Sequence, residues 1–589
     1  MPSNADIAAV FEQMAALLEM KGEVVFKIRA YQRAARTIEH LPFSIEERVA
    51  SGQPLKGIPG IGEAIEKKTI EFIQTGAVRA LEELRGELPD GVLTLMNVPG
   101  IGPKTAMRVA RELGVTTIEG LEKAILEGRM AALPRMGEKT AENILRHTRA
   151  LSLRTKDKRT PIGVALPVAE EVIAALRDRC PGLRKLIPAG SLRRWRETVG
   201  DIDLMGAADE PQQAIDAFVV LPQVMEVIGH GPKKASAVVK PGIQVDLRIV
   251  EDESYGALIQ YFTGSQQHNI RLRDRANRMG LSLNEYGITD IATGRVEEFA
   301  DEEAFYARLG LQLMPPEVRE GVWELELAEK RALPRLVELG DIRGDLHVHS
   351  DWSDGREPLE TMVAAAAARG YQYVAITDHS AGRGIANGLA EERLRQQIDV
   401  LRDLSARHSI AVLTGSEVDI RADGTLDYSD EMLAALDVVV ASVHSAMGQE
   451  RERMTQRIIQ AMRHPSVTVI GHLTCRLLEE RDPIEVDVEA IFQAALETGA
   501  ILEINASPER LDLKDIHVQR ARELGVPLVI STDAHHSDQL AHMRFGVAVA
   551  RRGWCEARHI LNTLPRERFL ALIKAPKPER VRLIKQGVA

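Results

Sequence analysis

Nine side chains able to ligate a metal stand in short clusters in the C-terminal part of the chain: His347 and His349, Asp354, His379, Glu417, His444, His472, and Asp533 with His535. Taken singly, a histidine such as His472 is usually structural. Taken together, the nine read as a multinuclear site gathered from strand ends and loops. The alternation in Asp345-Leu-His347-Val-His349 puts both imidazoles on one face of a strand. Imidazoles mixed with carboxylates suit Zn²⁺, Mn²⁺ or Fe²⁺ more than Mg²⁺. Such ions acidify a bound water, so the implied reaction is hydrolysis.

A second constellation lies upstream. Gly190-Ser191-Leu-Arg193-Arg194 is followed by Asp201-Ile-Asp203, and later by Asp246 in Val245-Asp-Leu-Arg248. On a strand, Asp201 and Asp203 face the same way, and Asp246 on a neighbouring strand completes a three-carboxylate cluster. Hard oxygen ligands suit Mg²⁺, with Mn²⁺ as a substitute. Two such ions can activate an attacking hydroxyl and stabilise a leaving pyrophosphate. The Gly190-Ser191 turn and Arg194 are placed to hold a triphosphate.

The N-terminal part carries a repeat. Ile58-Pro-Gly60-Ile-Gly62 recurs as Val98-Pro-Gly100-Ile101-Gly102 and, more weakly, as Leu133-Pro-Arg-Met-Gly137. Each copy precedes a predicted helix. Glycines that expose backbone N–H groups, followed by a helix N-terminus, hold a phosphate without reading a base. Lys56, Lys67 and Lys68 cluster at the first copy, with Lys27 and Tyr31 on an earlier helix.

Several elements must position these groups. At 589 residues the chain is too long for one core. Residues 5–150 read as helical, 160–250 as α+β, and 250–315 as a smaller mixed unit. From Pro315 to about Gly340 a Pro-Pro step and a Glu-rich helix, Val318 to Glu338, read as a linker. From Ile342 onward strands alternate with helices: Tyr373–Thr377, Ala411–Gly415, Val438–Val443, Val467–Gly471, Ile501–Asn505 and Leu528–Thr532. Ligands at strand C-termini suggest a barrel. No apolar run reaches the ~18–20 residues that span a membrane, and Met1–Val10 lacks signal-peptide character. Cys180, Cys475 and Cys555 form neither a disulfide framework nor a CxxC pair. A cytoplasmic protein with no membrane partner is therefore expected. The net charge of −11 means that any grip on DNA must come from local motifs.

The combined motifs resemble the bacterial family X DNA polymerases, collinearly from about residue 5 to the C-terminus. That resemblance implies a multidomain α+β and α/β fold: helix-hairpin-helix domains, a β-type nucleotidyltransferase palm and a C-terminal distorted (β/α)7 PHP barrel with a trinuclear site. The implied boundaries are a 5′-phosphate and lyase-like domain at 1–85, a second hairpin domain at 86–155, the palm at 156–249, a nucleotide-selection subdomain at 250–315, the linker at 316–341 and the barrel at 342–589. By the same resemblance Tyr261 and Phe262 lie beside the sugar, Asn269 faces the incoming base and Arg273 the template. Arg159, Gly200 and Gly264 join the nucleotide-binding set. Carbonyls of Met96, Val98 and Ile101 would hold Na⁺ or K⁺ against a DNA phosphate. Lys27 and Tyr31 match phosphate-binding positions. Lys68 matches the Schiff-base lysine of the lyase members, although their second lysine is Ala64 here. Trp195 replaces a usual glycine and Val199 a hydroxyl residue. Glu417 would bridge two ions, with Asp378 and Asn505 orienting ligands. The implied partners are gapped or nicked double-stranded DNA and dNTPs. The implied activities are gap filling in repair, 3′-5′ exonuclease and abasic-site cleavage, in a chain expected to act as a monomer. A DNA-end-binding phosphoesterase with a crippled polymerase core is the competing reading. The hairpin repeats argue against a small-molecule phosphatase.

Overall fold

The computed structural model describes residues 4–39, 41, 45–50, 53–58, 60–86, 88, 92–95, 98, 101–133, 136–138, 140–141, 144–145, 148, 159–382 and 384–587. The chain divides into two compact units: 1–159, 168–187 and 200–251 form one; 160–167, 188–199 and 252–589 form the other.

The first unit begins with helices. Asn4–Lys21 packs against Val25–Glu39, and one continuous apolar core runs from Ile7 to Ile144, through Phe11, Leu17, Ile38, Leu95, Val109 and Leu121. That core crosses residue 85. The unit also holds a five-stranded sheet. The strands run in the order Arg184–Pro188, Ile202–Ala207, Ile243–Val250, Lys234–Val239, Val224–His230. Ile202–Ala207 and Ile243–Val250 are parallel, and the pairs beyond them antiparallel. Along Ile243–Val250 the odd-numbered residues through Ile249 are buried and the even-numbered ones through Arg248 half-exposed, the alternation of a sheet with one apolar face. The helix Pro211–Val219 packs on this sheet and buries Ala214, Ile215 and Phe218.

The second unit contains a small antiparallel sheet, Leu281–Asn284, Gly287–Asp290 and Val296–Glu297, with helices Tyr255–Thr263, Gln266–Arg278 and Glu302–Arg308 around a core of Leu272, Ile288, Phe305 and Tyr306. Its larger part is a barrel of seven parallel strands in sequence order: Gly344–Val348, Tyr373–Ile376, Ala411–Asp419, Val438–Ser442, Val469–Ile470, Ile501–Asn505 and Leu528–Ser531. A parallel bridge from Val348 to Ala534 brings the first and last strands together. These strands are almost wholly buried, as expected of parallel strands covered by crossover helices. Phe569 stacks on Tyr373, the first residue of its strand, at 4.5 Å. The helix Arg566–Lys574 thus closes the N-terminal mouth of the barrel and leaves the opposite end for chemistry.

One expectation fails. Val318–Glu338 is not a single helix: only Glu324–Glu329 is α-helical, between 3-10 turns at Pro316–Val318 and Leu339–Asp341. Gly321 at φ +77° and Pro334 break the run, and Glu324 fixes the turn ahead of the helix by accepting the N–H groups of Gly321 and Val322 at 2.8 Å. Within this segment Val318 and Leu336 are buried with Trp554.

Candidate functional site

All nine sequence-predicted metal ligands converge at the C-terminal ends of the barrel strands. His347 is the penultimate residue of the first strand, and His349 follows that strand. His379 follows the second strand, Glu417 lies near the end of the third, His444 and His472 follow the fourth and fifth, and Asp533 and His535 the last. Glu417 is the hub. Its Oε2 lies 3.0 Å from His379 Nδ1, 3.4 Å from His347 Nε2 and 3.7 Å from His349 Nε2. Its Oε1 lies 2.9 Å from His472 Nε2 and 3.1 Å from His444 Nε2. Asp354 faces His535 at 3.3 Å and His379 at 3.4 Å, and Asp533 lies 3.2 Å from His349. His472 and Asp533 adopt φ of 23° and 55°, a backbone region that non-glycine residues avoid and that clusters at functional sites.

Donor atoms within 4.8 Å of one another form three groups: His349, Asp354, His379 and His535; His347, His349 and Asp533; and His379, Glu417 and His444. His347 Nε2, both ring nitrogens of His349, His379 Nδ1 and His472 Nδ1 are buried without a hydrogen-bond partner. Buried polar atoms are normally satisfied. Orphaned imidazole nitrogens beside carboxylate oxygens could hold divalent metal ions, and by donor chemistry the residues fit Zn²⁺, Mn²⁺ or Fe²⁺.

The electrostatics agree. Burial would raise the Glu417 carboxyl, but His444, His379 and His347 outweigh it and hold the group well below the carboxylate range. Burial would lower His379, yet Glu417 and Asp354 lift it to about 10. His349, buried and crowded by His535, His379 and His347, is pushed down to about 3. Protons on neighbouring imidazoles balance the carboxylates, and divalent cations on the same nitrogens would balance them in their place.

Four residues that sequence reasoning passed over support the cluster. Glu503 accepts from His347 Nδ1 at 2.8 Å and from the His472 backbone N–H at 2.7 Å. Asp419 hydrogen-bonds His444 Nδ1. Asp345, which burial pushes up to about 6, accepts the N–H groups of His347 and Thr532. Arg510 Nε lies 3.5 Å from Asp533. Of the orienting residues that were expected, Asn505 donates to Glu503 and Asp533 at 3.1 and 3.2 Å. Asp378 instead anchors Ser350, Ser353 and Gln397.

In the first unit Asp203 and Asp246 are direct partners on adjacent parallel strands, half-buried between the buried Ile202 and Leu204 and the buried Val245 and Leu247. Asp201 stands two residues before Asp203. Gln244 donates to Asp246 at 2.8 Å. Arg159 lies close to Gly200, within 4 Å of where a Cβ there would stand.

The second unit holds Gly190–Arg194 and the Tyr261–Arg273 region. Gly190 takes φ +58°, and Ser191 follows it in the short helix Gly190–Arg193. Tyr261 and Phe262 pack edge to face at 5.2 Å. Asn269 donates to the Tyr261 carbonyl at 2.7 Å, and Arg273 is exposed. Arg194 is engaged within the unit: Nη1 donates to the Thr263 carbonyl at 2.5 Å, and Nε lies 3.5 Å from Glu320. Its neighbour Gly264 has φ +68°, and a Cβ there would come within 3.1 Å of Arg194.

The three hairpin repeats share one backbone pattern, the weak third copy included. Ile65 and Glu66 donate to the Gly62 carbonyl, Thr105 and Ala106 to Gly102, and Thr140 and Ala141 to Gly137. Ile61 donates to Ile58, Ile101 to Val98, and Met136 to Leu133. Gly60 takes φ +88°, and a Cβ there would meet Arg33 and Thr37 at 3.1 Å. Gly62 and Gly102 begin their helices in extended backbone without a side-chain cap, so a phosphate could accept those N–H groups. Met96 and Gly100 lie outside the described residues, and the Val98 carbonyl accepts from Ile101 at 2.9 Å. Lys68 lies 6.0 Å from the Tyr31 ring, which is itself buried against Phe11, and Lys27 pairs with Glu23 at 3.3 Å.

Family models match in four places: a helix-hairpin-helix domain at 2–78, a SAM-like helix-hairpin-helix tandem at 92–150, the DNA polymerase beta thumb at 258–320 and the PHP domain at 345–507. The chain is 39% identical over 561 residues to the DNA polymerase/3′-5′ exonuclease PolX of Bacillus subtilis (strain 168), covering 95% of this chain and 97% of that one. It is 29% identical to a probable phosphatase of Thermoanaerobacter sp. (strain X514), over 37% of this chain and 89% of that protein. It is 23% identical to DNA polymerase lambda of Rattus norvegicus, over 54% of this chain and 56% of that one.

Proposed function

The chain belongs to the bacterial family X DNA polymerases that carry a PHP domain, and on that footing we propose how its two activities divide between two sites. It is a DNA polymerase with 3′-5′ exonuclease activity, it binds DNA, and it uses divalent metal ions. Synthesis is assigned to Asp201, Asp203 and Asp246, which hold Mg²⁺ or Mn²⁺. Ions there supply activation of the primer hydroxyl and neutralisation of the leaving pyrophosphate. Gly190, Ser191, Arg159 and Gly200 hold the triphosphate. Tyr261, Phe262, Gly264 and Asn269 select the nucleotide, and Arg273 meets the template side. Because Arg194 is turned towards Thr263 and Glu320, its part is to fix the triphosphate segment.

Degradation is assigned to the nine-ligand cluster, with up to three Zn²⁺, Mn²⁺ or Fe²⁺ ions. Ions there supply Lewis acidity for hydrolysis of a terminal phosphodiester. Glu503 and Asp419 orient His347 and His444 towards that centre. The hairpins hold backbone phosphates, with Na⁺ or K⁺ at the second one and Lys27, Tyr31 and Lys68 at a 5′-phosphate. The substrate is gapped or nicked duplex DNA in repair, and abasic-site cleavage falls to the same cluster. Schiff-base chemistry at Lys68 is the weakest of these assignments, since Ala64 takes the place of the second lysine.

One observation carries the reading: five imidazoles surround Glu417 while Asp203 and Asp246 stand in register on separate strands, which supports two chemically different metal sites. A single 3′-labelled gapped duplex, incubated with Mg²⁺ or Mn²⁺ and with or without dNTPs, tests it. Asp201→Ala with Asp203→Ala should abolish extension and spare degradation. His347→Ala with His349→Ala should do the reverse. If the aspartate variant still extends the primer, or the histidine variant degrades it at the wild-type rate, the corresponding assignment is wrong.

A further inference from the structure

The triphosphate segment, residues 188–199, belongs to the same compact unit as the barrel. Three barrel groups hold it at nearly consecutive positions. Arg552, at the end of the helix Met543–Arg552, is buried. Its Nη1 donates to the Arg194 carbonyl at 2.7 Å and to Glu320 Oε1 at 3.0 Å, and its Nε donates to Asp515 at 2.8 Å. Phe545 of the same helix meets the Trp195 ring edge-on at 5.7 Å. Glu197 pairs with Arg476 at 2.9 Å. Trp195 itself has φ +54°, the left-handed backbone for which glycine is the easy choice. A tryptophan there accepts backbone strain and gains an aromatic contact with the barrel.

We propose that the barrel positions the polymerase's nucleotide-binding segment, with Arg552 acting through the Arg194 backbone as a positioning residue for the incoming dNTP. The inference rests on the reading of Gly190–Ser191 as the triphosphate turn. A buried guanidinium shared between two carboxylates and two carbonyls, those of Arg194 and Glu317, is held in a narrow geometry, so the Arg194 carbonyl it grips is held in place. The partners of Arg552 and Trp195, namely Arg194, Glu317, Glu320, Asp515 and Phe545, lie outside the nine-residue cluster, so the exonuclease serves as an internal control.

The test uses the full chain in single-nucleotide gap filling, measuring KM for dNTP and kcat separately. Arg552→Met should raise KM for dNTP about tenfold, with kcat within about threefold and exonuclease on single strands within about twofold. Arg552→Lys, which keeps a donor for the Arg194 carbonyl, should recover much of the loss. Trp195→Gly removes the Phe545 contact without demanding strained backbone. It should also raise KM severalfold, and it decides the matter if Arg552→Met does not fold. An unchanged KM in Trp195→Gly and in folded Arg552→Met overturns the proposal. Ser191→Ala separates the two levels of the argument. If it raises KM while the other variants do not, only the positioning role fails; if none of the three moves KM, the triphosphate reading fails with it.

Discussion

Glu503 ties two metal-facing histidines to one carboxylate, taking the Nδ1–H of His347 and the backbone N–H of His472. With Nδ1 so engaged, His347 presents Nε2 to the cluster, the arrangement in which an outer carboxylate raises the basicity of a ligand. Glu503→Gln preserves volume and removes that charge. We expect metal affinity to fall roughly 10–100-fold, and the exonuclease with it, while primer extension persists. Metal retained after dialysis against a graded chelator measures this, and wild-type retention would refute the role. Glu503 was legible in principle, because it lies two residues before Asn505 on one strand, as Asp419 lies two after Glu417. The convergence of the nine residues was legible because histidine and carboxylate pairs are rare in such spacing. The partners of Arg194, namely Thr263, Glu320 and Arg552, are remote in sequence, and no local pattern announces them.

At the scale of elements, the turn that carries Asp354 depends on Gly355. Its N–H closes on the Ser350 carbonyl at 2.9 Å, and a Cβ would stand 2.6 Å from that carbonyl's carbon and oxygen. Gly355→Ala must therefore shift the turn, at about 1–3 kcal/mol of overpacking cost, and draw Asp354 away from His379 and His535. Exonuclease should fall with polymerase spared; equal loss of both would point to general unfolding instead. The hairpins pose a different question, since phosphate binding is what is proposed for them. Lys68→Ala should lower the slope of log binding constant against log salt by about 0.9, one phosphate contact on duplex DNA. An unchanged slope on a 5′-phosphorylated gap would remove Lys68 from the interface. The hairpin repeat and the alternating barrel strands were readable because both follow short-range periodicity. The Val318–Glu338 stretch was misread because its acidic composition favours helix, while Gly321, Pro334 and burial against Trp554 decide otherwise.

At the scale of the molecule, the sequence showed that several domains exist but not which pieces fold together. The chain leaves its second compact unit at Val199 and re-enters it at Asp252, so residues 188–199 belong to the same unit as the barrel, and Asp201, Asp203 and Asp246 to the other. The cradle for that segment has its own titrating group. His517 is half-buried, with Nδ1 enclosed and lacking a hydrogen-bond partner. Burial, then Lys514 and Arg476, push its pKa down to about 4, against the opposing pull of Asp515 and Glu197. The unfolded chain takes up this proton near the ordinary histidine value of about 6.5, while the folded chain resists it. Stability from neutral His517 is therefore complete above about pH 6.5 and is lost as the pH falls through about 4. Other histidines also titrate in this range, so the informative quantity is a difference. Between about pH 7.5 and 5 the wild-type melting temperature should fall further than that of His517→Gln, which has no proton to take up. Parallel melting curves across that interval would show that His517 is not held neutral by the fold.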